Sequence, residues 1–145
     1  MANAMPSHCP LRSLSRKIAQ PNSAMNTGVV ATIHAEVEAD LVFDVRFLQN
    51  PYYVPELRRL SGLTDGVRTY VLDQPLARGF LDGVQDLLAL TIPAYVGEGK
   101  TRLTIAIGCT GGYHRSIALA EELGAWLAGQ AYGPVSIFHR ELERR

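Results

Sequence analysis

The chain is predicted to fold as a small α/β domain, a mostly parallel sheet flanked by helices, on three observations. Residues 102–108, Arg-Leu-Thr-Ile-Ala-Ile-Gly, form a nearly continuous apolar run of strand length, the pattern of a strand covered on both faces. Two longer segments, residues 75–95 and 114–129, repeat apolar residues every three or four positions, as helices with one buried side do. The order strand, loop, helix, strand over the C-terminal third makes a β-α-β unit with a right-handed crossover.

Taken in order, residues 1–27 are rich in Ser, Asn, Pro and Ala and show no apolar period. They are expected to form a poorly ordered tail before a single domain over residues 28–145. Arg12, Arg16 and Lys17 precede any acidic residue, but no apolar stretch of the signal-peptide kind accompanies them, and Met25 is an alternative start. Residues 29–34 and 41–47 are short β-branched and aromatic runs bounded by polar residues or glycine, and both read as strands. Pro51 biases Asn50 away from helical angles, so a loop begins there; Pro55 suits the first turn of a short helix through Leu60, closed by Ser61-Gly62.

In the long helix, Leu76, Phe80, Val84, Leu87, Leu88, Thr91 and Tyr95 share the face expected to be buried. Pro93 should kink or close its last turn. The second helix opens at His114 or Arg115 and ends at Gly129, with Ser116, Leu119, Ala120, Leu123, Trp126 and Leu127 inward and Glu121 and Glu122 outward. Residues 135–139 supply the last strand.

Fourteen basic residues balance fourteen acidic ones, so the overall field does not draw the chain to nucleic acid or to an anionic membrane. Cys9 and Cys109 stand far apart, which gives no disulfide framework and fits a reducing compartment; a cytoplasmic location is expected. No apolar stretch reaches the length a spanning helix needs, so no membrane role is expected.

The chemistry gathers in Gly108-Cys-Thr-Gly-Gly-Tyr-His-Arg-Ser116. A buried strand ends, two glycines follow, and a helix begins, which is how a phosphate cradle is built. Gly111 and Gly112 are expected to take positive φ angles and let backbone N–H groups converge, with the helix N-terminus adding partial positive charge. Thr110 and Ser116 offer hydroxyl donors, His114 a ring N–H, and Arg115 a planar fork for two phosphate oxygens. Ligands of open α/β sheets bind outside the carboxyl ends of the strands, where this loop lies. The same pattern also builds a plain strand-to-helix turn with Thr110 as its cap. Spacing adds a further alternative, because Cys109 and Arg115 followed by Ser116 make the Cys-x5-Arg-Ser pattern of cysteine phosphatases. There the thiolate is the nucleophile and the arginine clamps the phosphoryl group, with Asp65 or Asp73 as candidate general acid on a mobile loop. Gly108 stands where those enzymes carry His, and a cysteine directly after an apolar strand is also a common inert thiol. Nothing in the pattern calls for a metal or a cofactor, and the loop lacks the lysine of a Walker sequence.

Together with Phe43-Asp-Val-Arg-Phe-Leu-Gln-Asn-Pro51, Pro55-Glu-Leu-Arg-Arg-Leu-Ser-Gly-Leu63 and His139-Arg-Glu-Leu-Glu-Arg144, this loop resembles the C-terminal domain of the RapZ family, the RNase adapter proteins, over residues 41–145. The resemblance implies a sensor of an amino-sugar phosphate, glucosamine-6-phosphate in that family, that in some members binds small RNA and presents it to an endoribonuclease. It implies a binding set of Asp44, Arg46 and Asn50 with Thr110, Gly111, Gly112, His114 and Arg115. The family's preceding P-loop nucleotide-binding domain has no counterpart in residues 1–40, so a stand-alone version is expected. Tyr52 stands where the family has His and Tyr113 where it has Lys; Ile33-His-Ala-Glu-Val37 replaces an expected Phe-Gly-(Phe/Tyr)-Lys stretch.

The sequence thus reads as a phosphorylated-metabolite-binding sensor or adaptor domain and not as a turnover enzyme, with a small cysteine phosphatase as the alternative. Asp44 and Arg46 alternate with Phe43, Val45 and Phe47 and could equally form a cross-strand ion pair. The basic end formed by His139, Arg140, Arg144 and Arg145 leaves an RNA, an RNase or another regulatory protein open as partners. A homo-oligomer is also open.

Overall fold

A computed structural model describes residues 25–32 and 38–144. Four parallel strands lie in the order β2-β3-β1-β4: β1 Asn26–Thr32, β2 Leu41–Asp44, β3 Arg102–Gly108 and β4 Val135–His139. The helices are α1 Asp65–Leu72, α2 Pro75–Gly97, α3 Arg115–Ala128 and the single turn α4 Arg140–Glu143. The parallel α/β class is therefore as expected. Strand β3 lies between β2 and β1, and residues 103–107 are buried without interruption, as a central strand requires.

Helix α3 holds the fold together. Ile117, Ala118, Leu119, Ala120, Leu123 and Leu127 are all fully buried, because α3 packs on β1, β3 and β4 and also against α1 and α2. Gly124 allows the close approach to β4: a Cβ there would run into the Ile137 side chain. Trp126 is only partly buried, and Glu121 and Glu122 stand at the margin, paired with His139 and Arg68.

Several expectations are corrected. The folded part starts earlier than residue 28, since Met25 is fully buried and its N–H donates to the Tyr132 carbonyl. The remainder of the tail and Ile33-His-Ala-Glu-Val37 lie outside the described residues. Strand β2 stops at Asp44, not at Phe47: the Val45 N–H still reaches the Gly108 carbonyl, but Leu48 N–H then turns back to Val45, and burial of both Val45 and Leu48 fixes that turn.

The short helix expected over residues 55–60 is a series of turns after a 3-10 turn at Pro51–Tyr53. A true helix, α1, follows at Asp65 instead, with Val67 and Val71 buried one turn apart. The long helix has its boundaries nearly as expected and runs four residues past Pro93. Its buried face is rotated by one residue, to Ala77, Leu81, Val84, Leu88 and Ile92, while Leu76 is 63% exposed. Apolar residues occupy both registers of this helix, so packing against the sheet and α3 chooses between them, not the period. Phe80 still contributes from the flank, edge-on to Phe43 and Phe47 with ring centroids 5.6 and 5.7 Å away.

Candidate functional site

Parallel pairing puts the ends of β2 and β3 side by side, Asp44 opposite Gly108. The loops leaving them, residues 45–50 and 109–114, therefore lie next to each other at the carboxyl edge of the sheet. Residues 50–62 close the other side: Gly62 N–H donates to the Tyr113 carbonyl at 2.8 Å, and His114 Nε2 lies 3.1 Å from the Arg58 carbonyl oxygen. A Cβ on Gly62 would strike the His114 carbonyl and Ala118 backbone, so only glycine lets this segment dock.

Between these walls is a cleft of about 720 Å³ lined by Asn50, Tyr52, Tyr53, Arg58, Arg59, Cys109, Thr110, Gly111, Tyr113, His114 and Arg115. An adjoining cavity of about 500 Å³ shares Asn50, Tyr53, Thr110 and Arg115 with it and adds Arg46, Leu48, Gln49 and Tyr70. Thr110 and Arg115 form the partition reached from both sides.

Arg115 is the first residue of α3 and only 3% exposed. Its Nη1 donates to the carbonyls of Leu48 (2.8 Å) and Arg46 (3.1 Å), and its Nη2 to Thr110 Oγ1 (3.2 Å). Nε is buried and has no hydrogen-bond partner among the described residues. One edge of the guanidinium thus fastens the 46–48 turn to the loop, while the Nε–H stays unspent. A buried, charged donor without a partner is costly, and an anion is the group that relieves it.

Cys109 Sγ lies 3.3 Å from Ser116 Oγ, lines the cleft and is 4% exposed. Burial pushes the thiol up, but the Ser116 hydroxyl, the backbone N–H groups of Ser116 and Gly112 and the charge of Arg115 outweigh it and hold the thiol below its ordinary value. The N–H groups of Gly112 and Ser116, at the start of α3, are thus directed at the Cys109 sulfur.

The other expected residues fall as follows. Gly112 takes a positive φ of 63°, whereas Gly111 does not; a single left-handed residue is enough to turn the chain from strand exit toward helix. A Cβ on Gly111 would meet nothing within 4 Å, so that glycine borders open space in the cleft. Ser116 is fully buried against the thiol and does not line the cleft. Asn50 lines both cavities, with its Oδ1 capping the Pro51–Tyr53 turn through the Tyr52 N–H.

Asp44 and Arg46 pair locally, within a turn and not across strands: Arg46 Nε donates to the Asp44 carboxylate at 2.7 Å and Arg46 N–H at 2.9 Å. Those bonds hold the Asp44 carboxyl below the usual range. Arg46 lines the second cavity, and Asp44 lines neither. Asp65 and Asp73 lie at the first position and the C-cap of α1, not on a mobile loop, and neither lines the cleft.

Sequence reasoning did not place Tyr53, Arg58 or Arg59 at the site. Arg58 stacks 4.9 Å above the Tyr52 ring and donates to the Tyr52 carbonyl at 2.8 Å, so this wall is an aromatic and cationic plate. The Pro51-Tyr52-Tyr53 run followed by Arg58-Arg59 was its only signal. The basic C-terminus is partly spent internally, His139 on Glu121 at 2.6 Å and Arg144 on Glu141.

Fold and site together define a single-sheet α/β domain whose glycine-bearing loop runs from a central parallel strand into a buried helix and opens on a cleft. The chain matches the RapZ C-terminal domain over residues 30–143 and belongs to that family. Its relatives include proteins named Nucleotide-binding protein. One from Geobacter sulfurreducens is 51% identical over 108 residues, 74% of this chain and 38% of that protein. One from Listeria innocua is 52% identical over 109 residues, with 75% and 37% covered, and one from Limosilactobacillus reuteri is 48% identical over 108 residues, with 74% and 37% covered. The chain spans little more than a third of the length of these relatives, whose name describes the whole proteins. Among the described residues no helix is long and apolar enough to cross a membrane.

Proposed function

We propose that this domain binds a small phosphorylated metabolite, with the phosphate against Thr110, Gly111 and Arg115, and acts as a sensor or adaptor in the cytoplasm. The observation that carries the reading is Arg115: buried at 3% exposure, anchored through Nη1 and Nη2, lining both cavities, and left with an Nε–H that has no partner among the described residues. The cleft volume of about 720 Å³ suits a small organic ligand.

Family membership makes an amino-sugar phosphate of the glucosamine-6-phosphate kind the first ligand to try. Its ammonium would be recognised by Asp44 only if it displaced Arg46 from that carboxylate, so the amine contributes less than the phosphate. Occupancy is then read by a regulatory protein or an RNA.

A thermal-shift series with inorganic phosphate, glucosamine-6-phosphate, glucose-6-phosphate and glucosamine tests the proposal. Both sugar phosphates should raise the Tm and unphosphorylated glucosamine should not. A series in which no phosphorylated compound shifts the Tm refutes it.

A further inference from the structure

A binding role leaves part of the cleft floor unexplained. Sequestration of a phosphate requires no thiol, yet Cys109 lines the cleft with Ser116 Oγ 3.3 Å from its sulfur, and the neighbouring Arg115 keeps a free Nε–H although it is only 3% exposed. The Ser116 hydroxyl and the N–H groups of Gly112 and Ser116, against the opposing effect of burial, favour the thiolate. The thiolate is the nucleophilic form of cysteine. Around it, the wall is made of Tyr52, Tyr53 and Tyr113 with Arg58 stacked on Tyr52. Among the described residues no Asp or Glu lines this cleft.

We propose that Cys109 is a nucleophile that accepts the phosphoryl group of an aryl phosphate monoester bound in this cleft. The inference rests on the reading of residues 109–115 as a phosphate site. The thiolate attacks phosphorus opposite the aryl oxygen; the S–P bond forms as the P–O bond to the aryl group breaks, and the electron pair leaves on the oxygen as a phenolate. Arg115 and the loop amides hold the three non-bridging oxygens. Water then attacks phosphorus, the S–P bond breaks, the sulfur leaves as thiolate toward the Ser116 hydroxyl, and both hydrogens of the water depart with dihydrogen phosphate. Water is the only co-substrate the two steps require.

The substrate class follows from the tyrosine and arginine wall and from the donors the described residues supply. An alkoxide leaving group must be protonated as it departs; among the described residues no carboxylate lines the cleft to do it, and His114 Nε2 sits on the Arg58 carbonyl. A phenolate of low basicity needs no such donor, and an aryl ring fits a wall of tyrosines with an arginine plate. Sugar phosphates, whose leaving group is an alkoxide, therefore stay intact in the same cleft, which keeps a sensing role and a phosphoryl-transfer role compatible.

The test mixes the full chain with p-nitrophenyl phosphate and follows nitrophenolate, with the intact mass of acid-quenched samples read in parallel. The expected result is a burst of about one equivalent, a protein species heavier by one phosphoryl group, and slow turnover afterwards. In Cys109→Ser, checked as folded by a cooperative melt, release should fall to the buffer blank. Iodoacetamide should alkylate Cys109 of the wild-type chain, more slowly with phosphate present, and a Cys109 that stays unlabelled overturns the inference. A protein stabilised by inorganic phosphate that releases no nitrophenolate overturns this inference and leaves the binding function standing. Undiminished release in Cys109→Ser also overturns it. Absence of both the phosphate shift and the burst removes the two readings together.

Discussion

Replacing Arg115 with alanine separates the two tasks assigned to that side chain. The guanidinium makes three hydrogen bonds, two to the carbonyls of Arg46 and Leu48 and one to Thr110 Oγ1. Bonds of this charged kind contribute about 1.5 kcal/mol each at the low end, and losing them leaves buried carbonyls bare. Against that, the change abolishes a buried cation with an unpartnered Nε–H, a relief of roughly 1–2 kcal/mol. The net loss is about 3 kcal/mol, or roughly 12 °C at about 4 °C per kcal/mol for a domain of this size.

Ligand response is the second readout. Phosphate at a hundred times its Kd adds about 2.7 kcal/mol to the wild type, a rise of roughly 10 °C. The variant should show no such rise. Urea unfolding and thermal melts with and without phosphate measure both quantities. Arg115→Lys keeps a charge but lacks the fork, so it should recover part of the stability and little of the phosphate response. If Arg115→Ala loses less than about 0.5 kcal/mol, the anchoring role is wrong; if it keeps the full phosphate shift, the site is misplaced.

Further outcomes follow from single contacts. Gly62→Ala drives a Cβ into the His114 carbonyl and the Ala118 backbone, which cannot yield, and should cost about 3 kcal/mol in denaturant melts while also disturbing the cleft. Gly111→Ala has open space around its Cβ, so stability should change by less than about 0.5 kcal/mol, with phosphate affinity falling in the same preparation. Gly112→Ala places a side chain at φ 63° and should cost about 1 kcal/mol by the same assay. Asp40 accepts from Lys100 Nζ and the Thr104 N–H, both at 2.7 Å, and its folded-state pKa is lowered first by the lysine bond. Its contribution is thus present above about pH 4, the unfolded value, and is lost as pH falls through the lower folded value. Asp40→Asn should be about 1 kcal/mol less stable at pH 7, with the gap to wild type closing in acid.

Legibility in the sequence tracked how local each signal was. The bounds of β3 and β4 match those expected from the sequence, because each is a short run rich in β-branched residues, nearly continuous and apolar in β3 and alternating in β4. Those of helix α3 match nearly as well, from a clear period ended by Gly129. The rotated face of α2 was not readable, since Leu76 and Ala77 begin equally apolar stripes. Helix α1 carries only Val67 and Val71 as its buried pair, too brief a pattern to show a period. At the site, Ser116 was expected to face a bound phosphate and instead meets the Cys109 sulfur, and Arg58 and Arg59 reach the cleft only because Gly62 docks beside Tyr113.

By itself the sequence determined the parallel α/β class, the strand-loop-helix that carries the chemistry and the residue types gathered there, because these depend on neighbours along the chain. Only the tertiary structure decided where Arg115 spends its donors, that Asp44 and Arg46 answer each other within a turn, and that tyrosines and arginines wall the cleft. The reason is physical: parallel pairing of β2 with β3 brings loops some sixty residues apart in sequence to one edge, and hydrogen bonds then form between groups whose meeting no local pattern specifies.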